Sequence, residues 1–300
     1  MTQTLNRNRA QNRNATPNAR SMIMKKTVSA LTLGIAIALV AANTCLAAFT
    51  PPAGIQLWLK ADAITGVPNG GAVSTWVDST ALGGGRDMSQ GTAAYQPLYE
   101  AAVVTAPGFV NPVVRFDGSN DVMANSALHN AQTIIYVAKS TANEGVPYAR
   151  LGTINEYFGF INGVGTPAAD LFLKNPQTFW QDAATVALNG FHVYSGLYND
   201  PANGNNGSIY FDGLLEATGT PGPSPLNLAD AIGARGNMPG PTYNAYFQGD
   251  IAEVLVFSTN LSAADRMSVE NYLNKKYFVP EPATLTILGL GALALRRRRG

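Results

Sequence analysis

Nine runs of four to eight residues, each rich in β-branched or aromatic side chains, recur along the chain at 55–59, 72–77, 112–116, 133–138, 157–161, 191–198, 208–211, 228–233 and 251–257. Between them stand Asn69-Gly70-Gly71, Gly83-Gly84-Gly85, Asp117-Gly118, Asn162-Gly163, Asn189-Gly190, Asn206-Gly207 and Asp212-Gly213, residues that tolerate positive φ at tight turns. Many short strands joined by such turns predict an all-β chain, an antiparallel two-sheet jelly-roll sandwich. Composition agrees: charged residues are 13% of the chain, against roughly 25% in an average soluble domain, while glycine contributes 30 residues and proline 18. The single cysteine, Cys45, excludes a disulfide scaffold or a zinc ribbon.

Two segments refine the picture. In IAEVLVF, regular alternation sets Ile251, Leu255 and Phe257 on one face and Ala252, Val254 and Val256 on the other. Both sets are apolar, so this strand is predicted to be central and covered on both sides. After it, Ser262 offers an N-cap, with Asp265 as its acidic partner three residues on. Val269, Tyr272, Leu273 and Tyr277 then recur at helical spacing, with Arg266, Glu270 and Lys275 on the polar face. One short C-terminal helix is expected there, its apolar stripe closing one end of the sandwich.

The net charge of +1 hides a segregation. Arg7, Arg9, Arg13, Arg20, Lys25 and Lys26 precede position 27, and Arg296, Arg297, Arg298 and Arg299 end the chain. Residues 49–279 hold 18 acidic against 10 basic side chains, about −8, which disfavours nucleic acid as a partner. The basic ends flank apolar runs. Lys25-Lys26 precede TVSALTLGIAIALVAA and the small-residue stretch NTCLAA, a secretory signal peptide with cleavage after Ala47 or Ala48. The start is Met1 or Met24, and either leads to export. Ala42-Asn43-Thr44 lacks the pattern of a lipoprotein cleavage box, so Cys45 is expected to leave with the signal. At the other end, Val279-Pro280-Glu281-Pro282 is followed by 13 apolar residues, 283–295, and then the arginines. The run falls short of the roughly 20 residues of a stable span, yet suits transient membrane insertion with the arginines held on the cytoplasmic side. Apolar helical segments are thus expected at both termini, which divides the chain into 1–48, 49–279 and 280–300.

The ordered tail of Val279, Pro280, Glu281 and Pro282, apolar helix and Arg296–Arg299 resembles the PEP-CTERM sorting signal of Gram-negative bacteria that make an extracellular polysaccharide matrix. That resemblance implies an exosortase and the secretion machinery as partners, with cleavage near Pro-Glu-Pro. The blocks IQLWLKADAITG, AVSTWVDSTALGG, PVVRFDGSND, GFHVYSGLYND with SIYFDG, and QGDIAEVLVFSTNLSAADRMSVENYLNKKY are similar, in order, to those of the LamG-like, concanavalin A-like jelly-roll superfamily. Its members range from lectins and adhesion modules to glucanases, so the resemblance implies contact with polysaccharide without deciding between binding and hydrolysis.

Glucanases of that superfamily set two carboxylates on alternate positions of one strand. Here the nearest pair, Asp250 and Glu253, has odd spacing that a regular strand splits between its faces, and the Glu-x-Asp-x-x-Glu pattern is absent. Glu253 matches a structural carboxylate instead. His129 and His192 have no Gly-x-Ser-x-Gly elbow to serve. No catalytic residue is assigned, and no cofactor beyond one candidate ion. Asp117, Asn120 and Asp121 in FDGSND suit calcium, and Asn199 and Asp200 precede another polar loop. Capping of their own turns is the competing reading for such residues. For a sugar, the candidate aromatics are Trp180, in the polar stretch NPQTFWQD, and Tyr95 with Tyr99, whose even spacing lets them share a face. Trp58 and Trp76 read as core. The expectation is a non-enzymatic, exported attachment protein of the cell surface or matrix, with a glycan-active hydrolase or lyase, or a protein–protein adhesion module, as the alternatives.

Overall fold

The computed structural model describes residues 49–152, 156–162, 168–174, 179–219, 227–237 and 242–279. The signal segment, residues 280–282 and 296–299 of the tail, and the two terminal apolar runs lie outside them. Strands β1 (Ile55–Lys60), β2 (Gly71–Ala72), β3 (Thr75–Trp76), β4 (Met88–Ser89), β5 (Leu98–Ala106), β6 (Phe109–Asp117), β7 (Met123–Ala124), β8 (Thr133–Ser140), β9 (Gly145–Leu151) and β10 (Glu156–Asn162) form the first part of the body. They are followed by β11 (Ala168–Lys174), β12 (Phe179–Ala187), β13 (His192–Asp200), β14 (Asn206–Phe211), β15 (Leu214–Gly219), β16 (Ala229–Ile232), β17 (Arg235–Asn237), β18 (Thr242–Asn244), β19 (Gln248–Phe257) and helix α1 (Ala263–Tyr277). Every strand pairing is antiparallel, as the turn chemistry predicts.

One sheet runs β15-β14-β13-β8-β19-β6-β5-β2 and the other β12-β11-β10-β9-β16-β7-β4-β3; β17 and β18 form a separate ribbon. Along one edge β19 pairs β8 over its length. Its other edge is shared, with β6 taking Gln248–Ile251 and β1 taking Glu253–Phe257. Between the sheets lies the main core, where Val114, Tyr136, Tyr194 and Ile251 from the first sheet meet Tyr148, Phe158, Leu171 and Ile232 from the second. Each such side chain contributes about 1.5–3 kcal/mol when fully buried.

The double covering expected of the 251–257 strand holds, but its faces differ from a regular alternation. A bulge between Ile251 and Glu253 inserts one residue. Ile251, Val254 and Val256 therefore point into the inter-sheet core, while Ala252, Leu255 and Phe257 join the outer cluster under the helix.

Helix α1 starts as its sequence indicates, Ser262 Oγ accepting from the Asp265 N–H at 3.2 Å. It does not close an end of the sandwich. It lies across the outer face of the first sheet, where Val269, Leu273 and Tyr277 pack on Ile135, Val137, Val193 and Leu255. Because the helix lies flat, Arg266 and Glu270, expected on its solvent face, are buried. Arg266 Nη1 meets Glu270 Oε2 at 2.5 Å, its guanidinium covers the Tyr210 ring at 3.6 Å, and Glu270 Oε1 accepts from Ser195 Oγ at 2.8 Å.

The joint between β1, β19 and α1 is made by Glu253, which has no solvent exposure. Its carboxylate accepts from Trp58 Nε1 (2.6 Å), Tyr272 Oη (3.0 Å), Tyr277 Oη (2.8 Å) and Lys276 Nζ (2.7 Å). Burial, and then the nearby Glu253 charge, raises both tyrosine hydroxyls above their ordinary range. Removing one partner of a buried charged network leaves the others unsatisfied, at about 3–5 kcal/mol. Glu253→Ala is expected to lower stability by that amount in urea unfolding, and Glu253→Gln, which keeps an acceptor, by less than half of it.

Candidate functional site

Beyond the reach of α1, the outer face of the first sheet carries two parallel rows of polar side chains on strands β8, β19 and β6. Register places Arg115 beside Asp250 and Asp250 beside Lys139. Asp250, 1% exposed, accepts from Arg115 Nε at 2.7 Å and Nη2 at 3.2 Å, and from Lys139 Nζ at 2.8 Å. Arg115 also reaches Glu100 at 3.2 Å, and its proton is held more tightly than usual, first through the hydrogen bond to Asp250. One row farther out, Asp117 faces Gln248, whose carbonyl accepts from the Thr141 N–H at 2.9 Å and Oγ1 at 3.2 Å. These rows, with Leu98 and Asp121, line an open depression of about 400 Å³.

The turn at the rim fixes its shape. Asp117 Oδ1 accepts from the N–H groups of Ser119 (2.7 Å) and Asn120 (3.2 Å), while Asp121 Oδ2 accepts from the Asp117 N–H at 2.9 Å. Gly118 takes φ +79°, and a Cβ there would stand 2.7 Å from Gln248 Cβ, so only glycine brings the turn this close to β19. The candidate calcium residues Asp117 and Asp121 thus spend carboxylate oxygens on their own backbone. A calcium ion takes about six to eight oxygens, and among the described residues no group of three His, Cys, Asp or Glu side chains gathers as a metal site. Asp200 likewise caps its turn, accepting from the Ala202 N–H, Asn203 Nδ2 and Tyr210 Oη. Burial works to raise its carboxyl, but these donors outweigh it and hold the group below its ordinary value.

The aromatic candidates separate. Tyr95, 45% exposed, ends a short 3-10 turn, Ala93–Tyr95, and its carbonyl accepts from the N–H of Val122, the residue after Asp121, at 3.1 Å. Tyr99, 9% exposed, belongs to the inter-sheet core and offers no face to a ligand. The even spacing misleads because the turn breaks the strand alternation before β5 begins. Tyr246, which sequence reasoning passed over, is half-buried near Asp117 and Tyr95; burial first, then those two groups, raise its phenol. Trp180 lies in β12, its side chain outside what the structure describes. Trp76 is core and Trp58 is half-buried against Glu253.

Asp250 and Glu253 do not sit on opposite faces as their spacing suggested. The bulge turns both outward, since each precedes an inward-pointing residue, Ile251 and Val254. Both are buried and each is bonded to cations, Asp250 to Arg115 and Lys139, Glu253 to Lys276. A second polar group escaped the sequence reading altogether. On the inner face of the other sheet, Glu156 pairs in register with Arg150, and Arg150 with Asp230. Asp230 accepts from Tyr148 Oη at 2.7 Å and Asn125 Nδ2 at 2.9 Å, with His129 Nε2 3.4 Å away. Burial lowers the His129 pKa. His192 instead pairs through Nδ1 with Asp212 Oδ2 at 2.7 Å.

Comparison with known proteins fits this architecture. Residues 122–265 match the model of the concanavalin A-like lectin/glucanases superfamily, and residues 278–299 match the PEP-CTERM protein-sorting motif. This chain carries both. The motif marks the protein for extracellular sorting, with export and surface association. No curated protein matches the sequence. An arabinofuranosidase complexed with arabinofuranosyl-α-1,2-xylobiose shares the fold at a TM-score of 0.51 and 14% identity, covering 71% of this chain and 52% of its own. A Trypanosoma rangeli sialidase in complex with sialic acid is similar at 0.50 and 12% identity, covering 87% of this chain and 40% of its own. Domain 4 of a GH43 extracellular arabinanase from Geobacillus stearothermophilus, in complex with arabinotriose, gives 0.46 and 11% identity over 71% of this chain and 96% of that one.

Within the depression, Asp121 is pushed up to about 6, chiefly by burial, with the Asp117 charge acting in the same direction and the Asp117 N–H opposing. A raised carboxyl adds stability that is complete below its ordinary pKa of 3.8 and is lost as pH rises through about 6. In the concanavalin A-like domain, Asp121→Asn is expected to gain stability relative to the parent between pH 4 and 7. Urea midpoints of the two proteins across that range check it; a constant difference is the contrary result.

Proposed function

We propose that this protein is an exported, cell-surface or matrix-associated attachment protein, whose concanavalin A-like domain holds polysaccharide through the depression on its outer sheet face, without chemistry. The observation that carries the reading is the exposed row Asp117–Gln248–Thr141 along the depression, with the exposed Tyr95 bonded through its carbonyl to Val122, the residue after Asp121. Side chains of this kind satisfy sugar hydroxyls, and an exposed ring covers the apolar side of a pyranose. In the adjacent row Asp250 is already paired with Arg115 and Lys139, which favours holding over acid–base work. Solved structures of like fold are recorded with arabinofuranosyl-α-1,2-xylobiose and with sialic acid. Delivery runs through the PEP-CTERM motif, with an exosortase as the processing partner and the surface or matrix of a Gram-negative cell as the destination.

Binding of the processed protein to an array of matrix polysaccharides tests the site. Tyr95→Ala and Gln248→Ala are each expected to weaken it about tenfold, the worth of one stacking or hydrogen-bonding contact of roughly 1.4 kcal/mol, with thermal unfolding unchanged. A chelator arm reads any calcium requirement. Release of reducing ends would favour the hydrolase, and partner binding that oligosaccharides do not compete would favour protein adhesion. Separately, deleting residues 279–300 is expected to shift the protein out of the surface fraction; an unchanged distribution overturns the sorting route.

A further inference from the structure

The two ends of the described body meet on one surface. Phe49 stacks on Tyr272 of helix α1 with ring centroids 4.1 Å apart and planes 6° from parallel, and meets Trp58 edge-on at 6.0 Å. Trp58 and Tyr272 are 6.2 Å apart, and Lys60 Nζ lies 4.2 Å over the Trp58 ring. About 4.5–6 Å farther along the helix axis from Tyr272, the last turn supplies Lys275 and Lys276, followed by half-buried Phe278 and by Val279, 51% exposed. Three of the ten cations of residues 49–279 thus gather at this pole of an otherwise acidic body. The carboxylates there are Glu253 and Asp62, both bonded to Lys276, at 2.7 and 2.9 Å, and Asp78, whose Oδ1 accepts from the Trp58 N–H at 2.9 Å. Lys60 and Lys275 have no carboxylate partner among the described residues.

Half-buried aromatic rings beside lysines settle at a membrane–water interface, and lysines add attraction to anionic lipid; here the polar tips of Trp58 and Tyr272 are spent on Glu253, which leaves their rings as the apolar contact. Chain length selects the occupant. Only Pro280, Glu281 and Pro282 separate Val279 from the apolar run that begins at Ala283. Four extended steps span at most about 14 Å, roughly 6–9 Å beyond the headgroup layer of one leaflet and so within about a Debye length of the lipid charges. While that run is in a bilayer, this pole is held against the lipid surface.

We propose that anionic lipid headgroups are the partner of this surface, contacted through Lys60, Lys275 and the Phe49–Trp58–Tyr272 rings until the tail is cut. The inference rests on the reading of the tail as membrane-inserted. Protein of residues 49–300, the form left when the signal segment is removed, in phosphatidylcholine vesicles with or without phosphatidylglycerol tests it through quenching of tryptophan fluorescence by brominated lipid. Trp58→Phe supplies the background from Trp76 and Trp180, and vesicle flotation reports insertion of the tail. The expected result is Trp58 quenching at least about twofold stronger with phosphatidylglycerol, abolished in the Lys60→Glu/Lys275→Glu protein while flotation and thermal unfolding stay unchanged. Equal quenching in both lipids, or quenching indifferent to charge reversal, overturns the surface and leaves the tail reading standing. Protein that does not float overturns both.

Discussion

Strand β19 must be buried on both faces and paired along both edges, and this constraint organises the rest of the body. Its inner side chains fill the space between the sheets, and its outer ones form the bed for α1. The single bulge after Ile251 reconciles these demands. Without it Glu253 would face the apolar interior. With it, the carboxylate emerges beneath the helix, where an indole, two phenols and an ammonium group surround it. The desolvation of that charge is offset only because four donors from two other elements, β1 and α1, converge on it. Fold and local chemistry therefore specify each other here: the donors hold the elements together, and the elements keep water from the donors.

The same strand positions the candidate binding surface. Gln248 and Asp250 stand two residues apart on its outer face, ahead of the bulge and clear of the helix. The inner row ties Asp250 to Arg115 and Lys139, with Arg115 also bonded to Glu100, and so forms a fixed border. The outer row is exposed and contributed by three adjacent strands or their turns. A fixed border beside adaptable groups suits a ligand presenting many hydroxyls and little charge.

Much of this was legible in the chain. Short runs with glycine turns gave the class of fold, the apolar 251–257 segment identified its central strand, and a cap followed by a helical stripe located α1. Strands β5 and β12 were missed because LYEAAVVTA and FWQDAATVA are alanine-rich, and pairing to neighbours overrides weak intrinsic preference. Strand β9 carries Pro147, which sits where the pairing with β10 loses register. The bulge escaped because a period of two assumes regular backbone, so both the faces of 251–257 and the placement of Asp250 and Glu253 were misread. Tyr95 was picked with Tyr99 for their even spacing, and its nearness to Tyr246 was invisible, since 151 residues separate them. Nor did LADAI and PYARL announce that Asp230 and Arg150 would meet inside the sandwich.

The stack of Phe49 on Tyr272 has a mechanical consequence. A body whose first residue is clasped by its last helix experiences tension between its ends as peeling of one ring from another, not as shear across hydrogen-bonded strands. Pulling from both sides therefore loosens the clasp early, while β8, β13 and β19 remain unloaded. A particle anchored at either extremity can yield at its edge and recover without unravelling its interior.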